Sequence, residues 1–167
     1  MRILIVGAGI GGLTFAAFLQ KKGITPVVIE QSLGWKTIGL VIGLFPNGIR
    51  ILDKLNVGNK IRKKGLIISD YIVFNGQGKK LIKLNFNKWK REKKPFIEIE
   101  RDYLHQVLRQ ANKNLKVRMN TKVKTLKRTK KGIDVTFTKG KSGTFDLVVG
   151  ADGIDSQMRS YVEKKAK

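Results

Sequence analysis

The glycine-rich segment at residues 7–12, GAGIGG, constrains the fold more than any other feature of this chain. The apolar run at residues 2–6 before it suits a strand buried on both faces. Apolar residues at helical spacing follow at 13–22, and Gly23 fits the end of that helix. A second apolar run at 26–30 completes the pattern. The segment therefore predicts an N-terminal βαβ unit of an α/β fold.

The glycines fit the spacing G-x-G-x-x-G, in which each position has a physical role. The first permits a tight turn, the second lets the backbone approach a pyrophosphate, and the third lets the helix lie close to the sheet. The helix N-terminus presents unpaired N–H groups and a partial positive charge to the phosphates. The alternative is an ordinary tight turn between strand and helix. We predict a dinucleotide site that includes Gly7, Gly9, Ile10, Gly11 and Gly12.

An acidic residue stands where such a site needs one. Glu30 ends the second strand, 23 residues after Gly7. A carboxylate at this position can accept hydrogen bonds from both hydroxyls of a ribose, and it would repel a 2′-phosphate. The alternative is a plain exposed carboxylate at a strand end. The motif does not by itself distinguish FAD from NAD.

The rest of the chain predicts one domain, residues 1–167, with helices early and strands late. Asn75 and Gly76 open a good hairpin turn between two strand-like runs. The predicted elements are a loop or short strand at 34–45, a helix at 46–58, strands at 71–74, 80–86 and 96–99, a helix at 102–112, and strands at 115–119, 122–129, 133–138 and 144–149.

Composition excludes several classes of site. The chain has no cysteine and one histidine, so disulfides, thiolate metal sites and multi-histidine metal sites within it are impossible, and no metal is predicted. No run approaches the roughly 20 apolar residues that span a bilayer, and no signal peptide is visible. This composition suits a cytoplasmic protein without a transmembrane segment.

The charge is unusual, with 35 Lys and Arg against 12 Asp and Glu, a formal net charge of +23. A field of that size attracts nucleic acid, anionic membranes or anionic cofactors. The two phosphates of FAD cannot explain it. We favour a lysine-rich bias spread over solvated faces, so nucleic acid is not the expected partner. The alternative is a polyanion binder that uses residues 88–94, around Trp89, and residues 122–131.

The segment 145–160, FDLVVGADGIDSQMRS, carries a family resemblance. It resembles the second fingerprint of the FAD-dependent aromatic-ring monooxygenases, the para-hydroxybenzoate hydroxylase-like flavoproteins. Asp152, Gly153, Ser156 and Arg159 occupy its positions. The resemblance implies that this segment, with Asp152, Gly153 and Arg159, binds the FAD pyrophosphate and serves the passage of the pyridine nucleotide. Without it, the segment would be a turn with Arg159 at the surface.

Two middle segments are also similar to the family. Residues 35–55 resemble its glycine-rich loop, Pro-Asn and helix near the flavin, and residues 99–108 resemble its Arg-x-x-Leu helix start. The resemblance implies that Arg101 reaches the ribityl or phosphate region of the cofactor. The alternative is an ion pair of Arg101 with Asp102 or Glu98. His105 is expected at an exposed position and is not predicted to be catalytic.

The resemblance implies a Rossmann-like FAD/NAD(P)-binding fold of the glutathione-reductase type, a parallel sheet with a β-meander, incomplete at the C-terminus. It also implies that NAD(P)H reduces FAD and that O2 reoxidises it to hydroxylate a small organic substrate. Gln31 and Val41 depart from the family pattern, which has arginine and glycine there. The third fingerprint and the substrate-covering sheet are not found in the chain. No catalytic residue is assigned.

These departures leave alternatives open. We expect weak FAD binding and uncoupled oxidase behaviour, together with an exposed apolar face that favours self-association or a partner chain. A non-catalytic dinucleotide-binding or interaction module remains an alternative.

We predict that any binding of RNA or DNA by this chain is electrostatic and without sequence preference. Fluorescence anisotropy with two unrelated oligonucleotides should give equal affinities that fall steeply as salt rises, because counterion release drives such binding. Tight, sequence-selective binding that survives added salt would contradict the prediction.

Overall fold

The computed structural model describes residues 1–35, 40–87 and 95–162. The chain divides into two compact units. The first contains Met1–Lys36 and Leu108–Lys167, and the second contains Thr37–Val107. The basic segment 88–94, predicted as an alternative polyanion site, lies outside the described residues.

The first unit is built on a four-stranded parallel sheet with the order β12-β1-β2-β8. The central strand β1 pairs on both sides, and all four of its residues are buried, as its apolar run predicts. The strands are β1 (Ile3–Val6), β2 (Val27–Ile29), β8 (Val117–Arg118) and β12 (Leu147–Gly150). The predicted strand at 115–119 is therefore shorter than expected.

Helix α1 (Ile10–Lys21) joins β1 to β2 and confirms the βαβ unit. It begins three residues earlier than the predicted start at 13, because the N–H of Leu13 already donates to the carbonyl of Gly9. The glycines at 11 and 12 thus belong to its first turn. Gly23 has a φ of 75° and follows the end of the helix, as predicted.

A three-stranded antiparallel meander completes the first unit, with β10 between β9 and β11. The strands are β9 (Val123–Thr129), β10 (Gly132–Phe137) and β11 (Gly143–Phe145). Apolar residues of the meander and of the parallel sheet form a shared core. The buried members of this core are Leu4, Val6, Ile29, Val135, Phe137, Phe145 and Met158.

The single strand predicted at 144–149 is wrong, since the chain changes sheets at Asp146. Residues before it belong to β11 in the meander, and residues after it belong to β12 in the parallel sheet. The N–H of Asp146 donates to the carbonyl of Arg2 over 2.9 Å, and the Asp146 carboxylate accepts from the N–H of Arg2. These two bonds fix the bend at the edge of β1.

The second unit contains an antiparallel sheet with the order β3-β7-β4. The helix predicted at 46–58 ends earlier, at Lys54, because Asn56 adopts a φ of 62° after it, and a second helix that was not predicted begins at Gly58. Arg62 donates to both carboxylate oxygens of Asp53 across that turn, each over 2.6 Å. The elements are β3 (Val41–Leu44), α2 (Pro46–Lys54), α3 (Gly58–Lys64), β4 (Leu66–Ile68) and β7 (Phe96–Glu100).

Helix α4 (Arg101–Ala111) spans the boundary of the two units. The prediction that His105 is exposed is wrong, since its exposed fraction is 8%. His105 follows Leu104 and lies one turn before Leu108, so it falls within the buried face of the helix. A short helix, α5 (Arg159–Val162), closes the described chain.

The predicted hairpin is confirmed as β5 (Asp70–Phe74) and β6 (Lys80–Asn85). The register pairs Tyr71 with Leu84 and Val73 with Ile82, so that one face is entirely apolar. We call these four residues the apolar hairpin face. Tyr71, Ile82 and Leu84 are 48%, 51% and 48% exposed. The hairpin therefore presents an exposed apolar face.

The basic run at 122–131 is largely a strand with solvated lysines. Lys124, Lys127 and Arg128 are exposed, whereas Val123 and Leu126 pack against the core of the first unit. In residues 1–35, 40–87 and 95–162, no helix has the length and apolar character needed to cross a membrane. The same residues contain no cluster of acidic, histidine or cysteine side chains that could hold a metal ion.

We predict that Phe145→Ala destabilises the first unit by about 3–5 kcal/mol, because it removes a fully buried aromatic ring. Urea unfolding followed by circular dichroism measures this change. Ile154→Ala, at a side chain that is 86% exposed, is the control and should shift stability by no more than about 0.5 kcal/mol. Equal unfolding midpoints for the two variants would contradict the assignment of the core.

Candidate dinucleotide site

The turn after β1 requires glycine at position 7. Gly7 has a φ of 103°, and a Cβ there would lie 2.3 Å from the carbonyl oxygen of Ala151. The N–H of Gly7 donates to the carbonyl of Ile29, and the N–H of Ala151 donates to the carbonyl of Val6. The turn is thus held between the ends of β2 and β12, and a side chain at Gly7 would push it apart.

The first turn of α1 lies close to this turn. A Cβ on Gly12 would come within 2.0 Å of the carbonyl oxygen of Gly7. The helix carries no acidic residue in its first turn, and its N-cap, Gly9, makes no side-chain cap hydrogen bond. The first N–H groups of the helix therefore keep their capacity to bind an anion.

Glycine at positions 9 and 11 has a different explanation. A Cβ on Gly9 or Gly11 would meet no atom within 4 Å, and Gly9 has an ordinary extended conformation with a φ of −72°. Neither packing nor backbone strain within the described chain demands glycine here. The open space is the kind that a pyrophosphate needs if it is to contact the helix N–H groups directly. The residues present therefore fit a dinucleotide.

Glu30 lies beside this turn. Its Oε2 accepts from the N–H of Ala8 over 2.9 Å, and its Oε1 accepts from both the N–H and the hydroxyl of Ser32, each over 2.9 Å. Burial raises the pKa of Glu30, but hydrogen bonds from the Ala8 and Ser32 N–H groups and the Ser32 hydroxyl outweigh it, and the net pKa lies below its usual value. Glu30 is therefore a carboxylate at neutral pH.

The second motif forms a tight turn after β12. The hydroxyl of Ser156 donates to Asp152 Oδ1 over 2.6 Å, and the N–H of Met158 donates to Oδ2 over 3.1 Å. Burial raises the pKa of Asp152, but these hydrogen bonds lower the pKa by more than burial raises it. The net pKa therefore lies below its usual value. Gly153 has a φ of 91°, and a Cβ there would meet no atom within 4 Å. Arg159 donates from Nη2 to the carbonyl of Ile154 over 3.3 Å.

The two motifs share one open cleft of about 540 Å³ within the first unit. Gly11 lines it from helix α1, and Gly150, Ala151, Asp152 and Gly153 line it from the end of β12. The residues after that turn complete the wall, namely Ser156, Met158, Arg159 and Val162. The structure thus brings together glycines and turn residues that are about 140 positions apart in the sequence.

Arg101 belongs to the second unit. It begins helix α4, its side chain is exposed, and its N–H donates to the carbonyl of Leu40. Its contact with the cofactor stays a prediction. Val41, which departs from the family pattern, is 57% exposed on β3.

Sequence reasoning missed three residues of the site. Ser32 supplies two hydrogen bonds to Glu30, Ala151 packs against Gly7, and Met158 packs against Gly150, where a Cβ would lie 2.6 Å from that of Met158. The short polar residue two places after Glu30 was a readable signal, since serine at such a spacing bonds the local backbone and carboxylates. For Met158 no local signal exists.

Comparison with known proteins shows the class of this fold and site. The chain matches the family described as FAD binding domain over residues 1–167. It belongs to this FAD-binding family, and FAD is its cofactor.

Among the relatives is the FAD-dependent monooxygenase janM of Penicillium janthinellum, which is 30% identical over an alignment of 175 positions that covers 99% of this chain and 36% of the relative. The 3-hydroxybenzoate 6-hydroxylase of Klebsiella oxytoca is 30% identical over an alignment of 166 positions that covers 95% of this chain and 42% of the relative. The solved structure of 2-methyl-3-hydroxypyridine-5-carboxylic acid oxygenase is 26% identical in sequence to this chain, with a TM-score of 0.80. The match covers 96% of this chain and 42% of the solved one. The chain spans less than half the length of each.

These comparisons confirm the family resemblance and the Rossmann-like fold with a parallel sheet and a β-meander. By their names, these three proteins are an FAD-dependent monooxygenase, a hydroxylase and an oxygenase.

We predict that Asp152 stabilises the turn at neutral pH and loses this effect in acid. Its pKa in the folded chain lies below the unfolded value near 3.9, so the contribution is complete above that value and disappears as pH falls through the folded pKa. The stability difference between wild type and Asp152→Asn should be constant from about pH 5 to 7 and shrink below about pH 4. Urea unfolding across this range measures it.

The exposed neighbour Asp155 provides the control, and Asp155→Asn should follow the wild type. A difference between wild type and Asp152→Asn that grows in acid would show that the carboxylate does not hold the turn.

Proposed function

We propose that this chain is the FAD-binding part of a flavoprotein oxidoreductase of the monooxygenase type. In this proposal the two units act as one FAD-binding domain, residues 1–167, and NAD(P)H is the electron donor for oxygen-dependent hydroxylation of a small organic substrate. The observation that carries the proposal is the open, amide-lined space at Gly9 and Gly11 with the Glu30 carboxylate beside it.

The pyrophosphate would lie against the first turn of α1. Gly7, Gly9, Ile10, Gly11 and Gly12 form this surface, and the helix N-terminus contributes a partial positive charge. Because a Cβ on Gly9 or Gly11 would occupy otherwise open space, the absence of side chains there lets the phosphate oxygens reach the N–H groups.

The ribose of the adenosine would bind to Glu30. A carboxylate offers about four acceptor positions, and Ala8 and Ser32 fill three of those on Glu30. A ribose hydroxyl would donate to Oε2, beside the bond from Ala8. Rotation of the Ser32 hydroxyl away from Oε1 would free a position for the other ribose hydroxyl. Ser32 therefore adjusts how many ribose hydroxyls Glu30 accepts.

The second motif would close the pyrophosphate side of the cleft. Both carboxylate oxygens of Asp152 already accept hydrogen bonds, and a carboxylate repels phosphate, so Asp152 shapes the turn and does not contact the anion. Gly153 offers its N–H from an open position, and Arg159 offers a delocalised cation at the cleft wall. Arg101 would supply a further cation to the ribityl or phosphate region.

FAD, when bound, supplies the redox chemistry with NAD(P)H and oxygen. The residues of this chain bind and orient the ADP half of the cofactor. Its monooxygenase relatives are more than twice as long, at 36% and 42% coverage. Hydroxylation requires exclusion of water from the reacting centre. We therefore propose that these 167 residues, with FAD bound, would let two electrons pass from NAD(P)H to oxygen to give hydrogen peroxide, without hydroxylation of a substrate.

The test is a titration of the purified chain with FAD, followed by flavin fluorescence, with NAD(P)H oxidation and peroxide measured on the same samples. We expect weak FAD binding and peroxide formation. Glu30→Gln should weaken FAD binding by about tenfold, since it removes a charged acceptor. The control is Glu100→Gln, at the exposed end of β7.

Absence of FAD binding by the wild type would overturn the proposal. FAD binding without any NAD(P)H oxidation would favour the non-catalytic binding module. Tightly coupled hydroxylation by this chain alone would contradict the expected uncoupling.

We also propose that the apolar hairpin face mediates association with a second copy or a partner chain. The net charge of +23 opposes association of two copies, so screening by salt should strengthen it. Sedimentation velocity should show a larger average mass at about 0.5 M salt than at about 0.1 M. Leu84→Lys should abolish this increase.

The matched control is Ile72→Lys on the opposite face, where Ile72 pairs with Lys83 and is 41% exposed. It should associate as the wild type does. A monomeric wild type at every salt and protein concentration would count against self-association through this face.

A further inference from the structure

Asn112 follows the last residue of helix α4 and is buried, with an exposed fraction of 4%. Its Nδ2 donates two hydrogen bonds, one to the carbonyl of Leu108 over 2.8 Å and one to the carbonyl of Leu13 over 3.0 Å. Its Oδ1 is fully buried, and no described residue donates to it. A buried acceptor without a partner destabilises the folded chain, so an apolar side chain would be expected here unless the amide had another role.

The second of these bonds reaches the helix that carries the proposed phosphate site. Leu13 is the residue whose N–H makes the first backbone bond of α1, to the carbonyl of Gly9. The contact of Gly12 with Gly7 holds the same turn from the side of β1. Asn112 therefore holds the start of α1 at a second point, through a bond between residues 99 positions apart.

The same turn of α4 also contacts the segment that follows Glu30. The guanidinium of Arg109 lies 5.0 Å from the centroid of the Trp35 ring, within the range of a cation–π contact. The end of α4 thus touches both α1 and the loop after β2, the two parts of the first unit that would bind the ADP half of FAD.

We infer that Asn112 is a positioning residue for the cofactor, which sets the place of the first turn of α1 by donating to the carbonyl of Leu13. This inference rests on the proposed function. Binding sites built on N–H groups lose affinity when the supporting residues let them shift by a fraction of an ångström. Loss of the Nδ2 donor should therefore weaken FAD binding more than an equal loss of stability elsewhere in the unit.

The test compares three variants of the full chain for FAD affinity, measured per folded molecule. Asn112→Leu keeps the approximate shape and removes the donor, and it should weaken FAD binding by about fivefold, the equivalent of one hydrogen bond. Val135→Ala removes methyl groups from the core of the meander and is the matched control for lost stability. Its FAD affinity should stay within about twofold of the wild type.

Asn112→Asp gives a readout that a purely structural role would not produce. Ionised, its carboxylate repels the two carbonyls, whereas protonated it can donate to Leu13. Burial raises the pKa of such a carboxyl, so its FAD affinity relative to the wild type should recover between about pH 8 and about pH 5.5. The relative affinity of Asn112→Leu should not change over the same range.

Hydrogen exchange separates this inference from the proposed function. Amides of residues 11–14 should exchange faster in Asn112→Leu than in Val135→Ala, whether or not FAD binds. A wild type that binds no FAD overturns the function, and the exchange rates then decide whether Asn112 holds α1. Equal exchange rates overturn the inference. So does equal loss of FAD affinity in Asn112→Leu and Val135→Ala, or an Asn112→Asp variant without recovery in acid.

Discussion

The contact on which the site depends is the close approach of the α1 N-terminus to the end of the parallel sheet. Gly7 must turn with a positive φ beneath Ala151, and Gly12 must lie against Gly7. These two contacts leave no room for a side chain at Gly7 or Gly12. A Cβ at Gly9 or Gly11, in contrast, would extend into open space. The first turn of the helix is thus fixed in place and still open to an anion. The rest of the first unit supports this arrangement.

The two ends of the proposed ADP site differ in charge. In the proposed function, the helix N-terminus and Arg159 would provide positive potential for the phosphates, and the ionised Glu30 would accept from the ribose. Asp152 is also acidic, but Ser156 and the N–H of Met158 satisfy it inside its own turn. An acid can therefore lie in the proposed phosphate-binding cleft, because its hydrogen-bonding capacity is used to shape the backbone.

Local patterns predicted the βαβ unit, the hairpin and the meander, because strand and helix periodicities and glycine turns depend on nearby residues. The split of the strand at Asp146 could not be predicted, since the bend depends on Arg2 at the other end of the chain. The prediction that His105 is exposed was wrong, because the buried face of a helix can include residues beyond its apolar ones. Asn112 was missed because its partner, Leu13, lies far away in sequence. Motif spacing singled out the glycines and Glu30, whose binding role stays a prediction, but it did not single out Ser32 or Met158, which act through packing and local bonds.

The most direct measurement of the central claim compares two glycine variants by FAD titration. Gly9→Leu and Gly76→Leu each place a side chain where no atom lies within 4 Å and where φ is not positive, so neither should disturb the fold. Gly9→Leu should abolish FAD binding, because its side chain fills the space in front of the α1 N–H groups, whereas Gly76→Leu in the hairpin turn should bind as the wild type does. Equal FAD affinities for Gly9→Leu and the wild type would contradict the account.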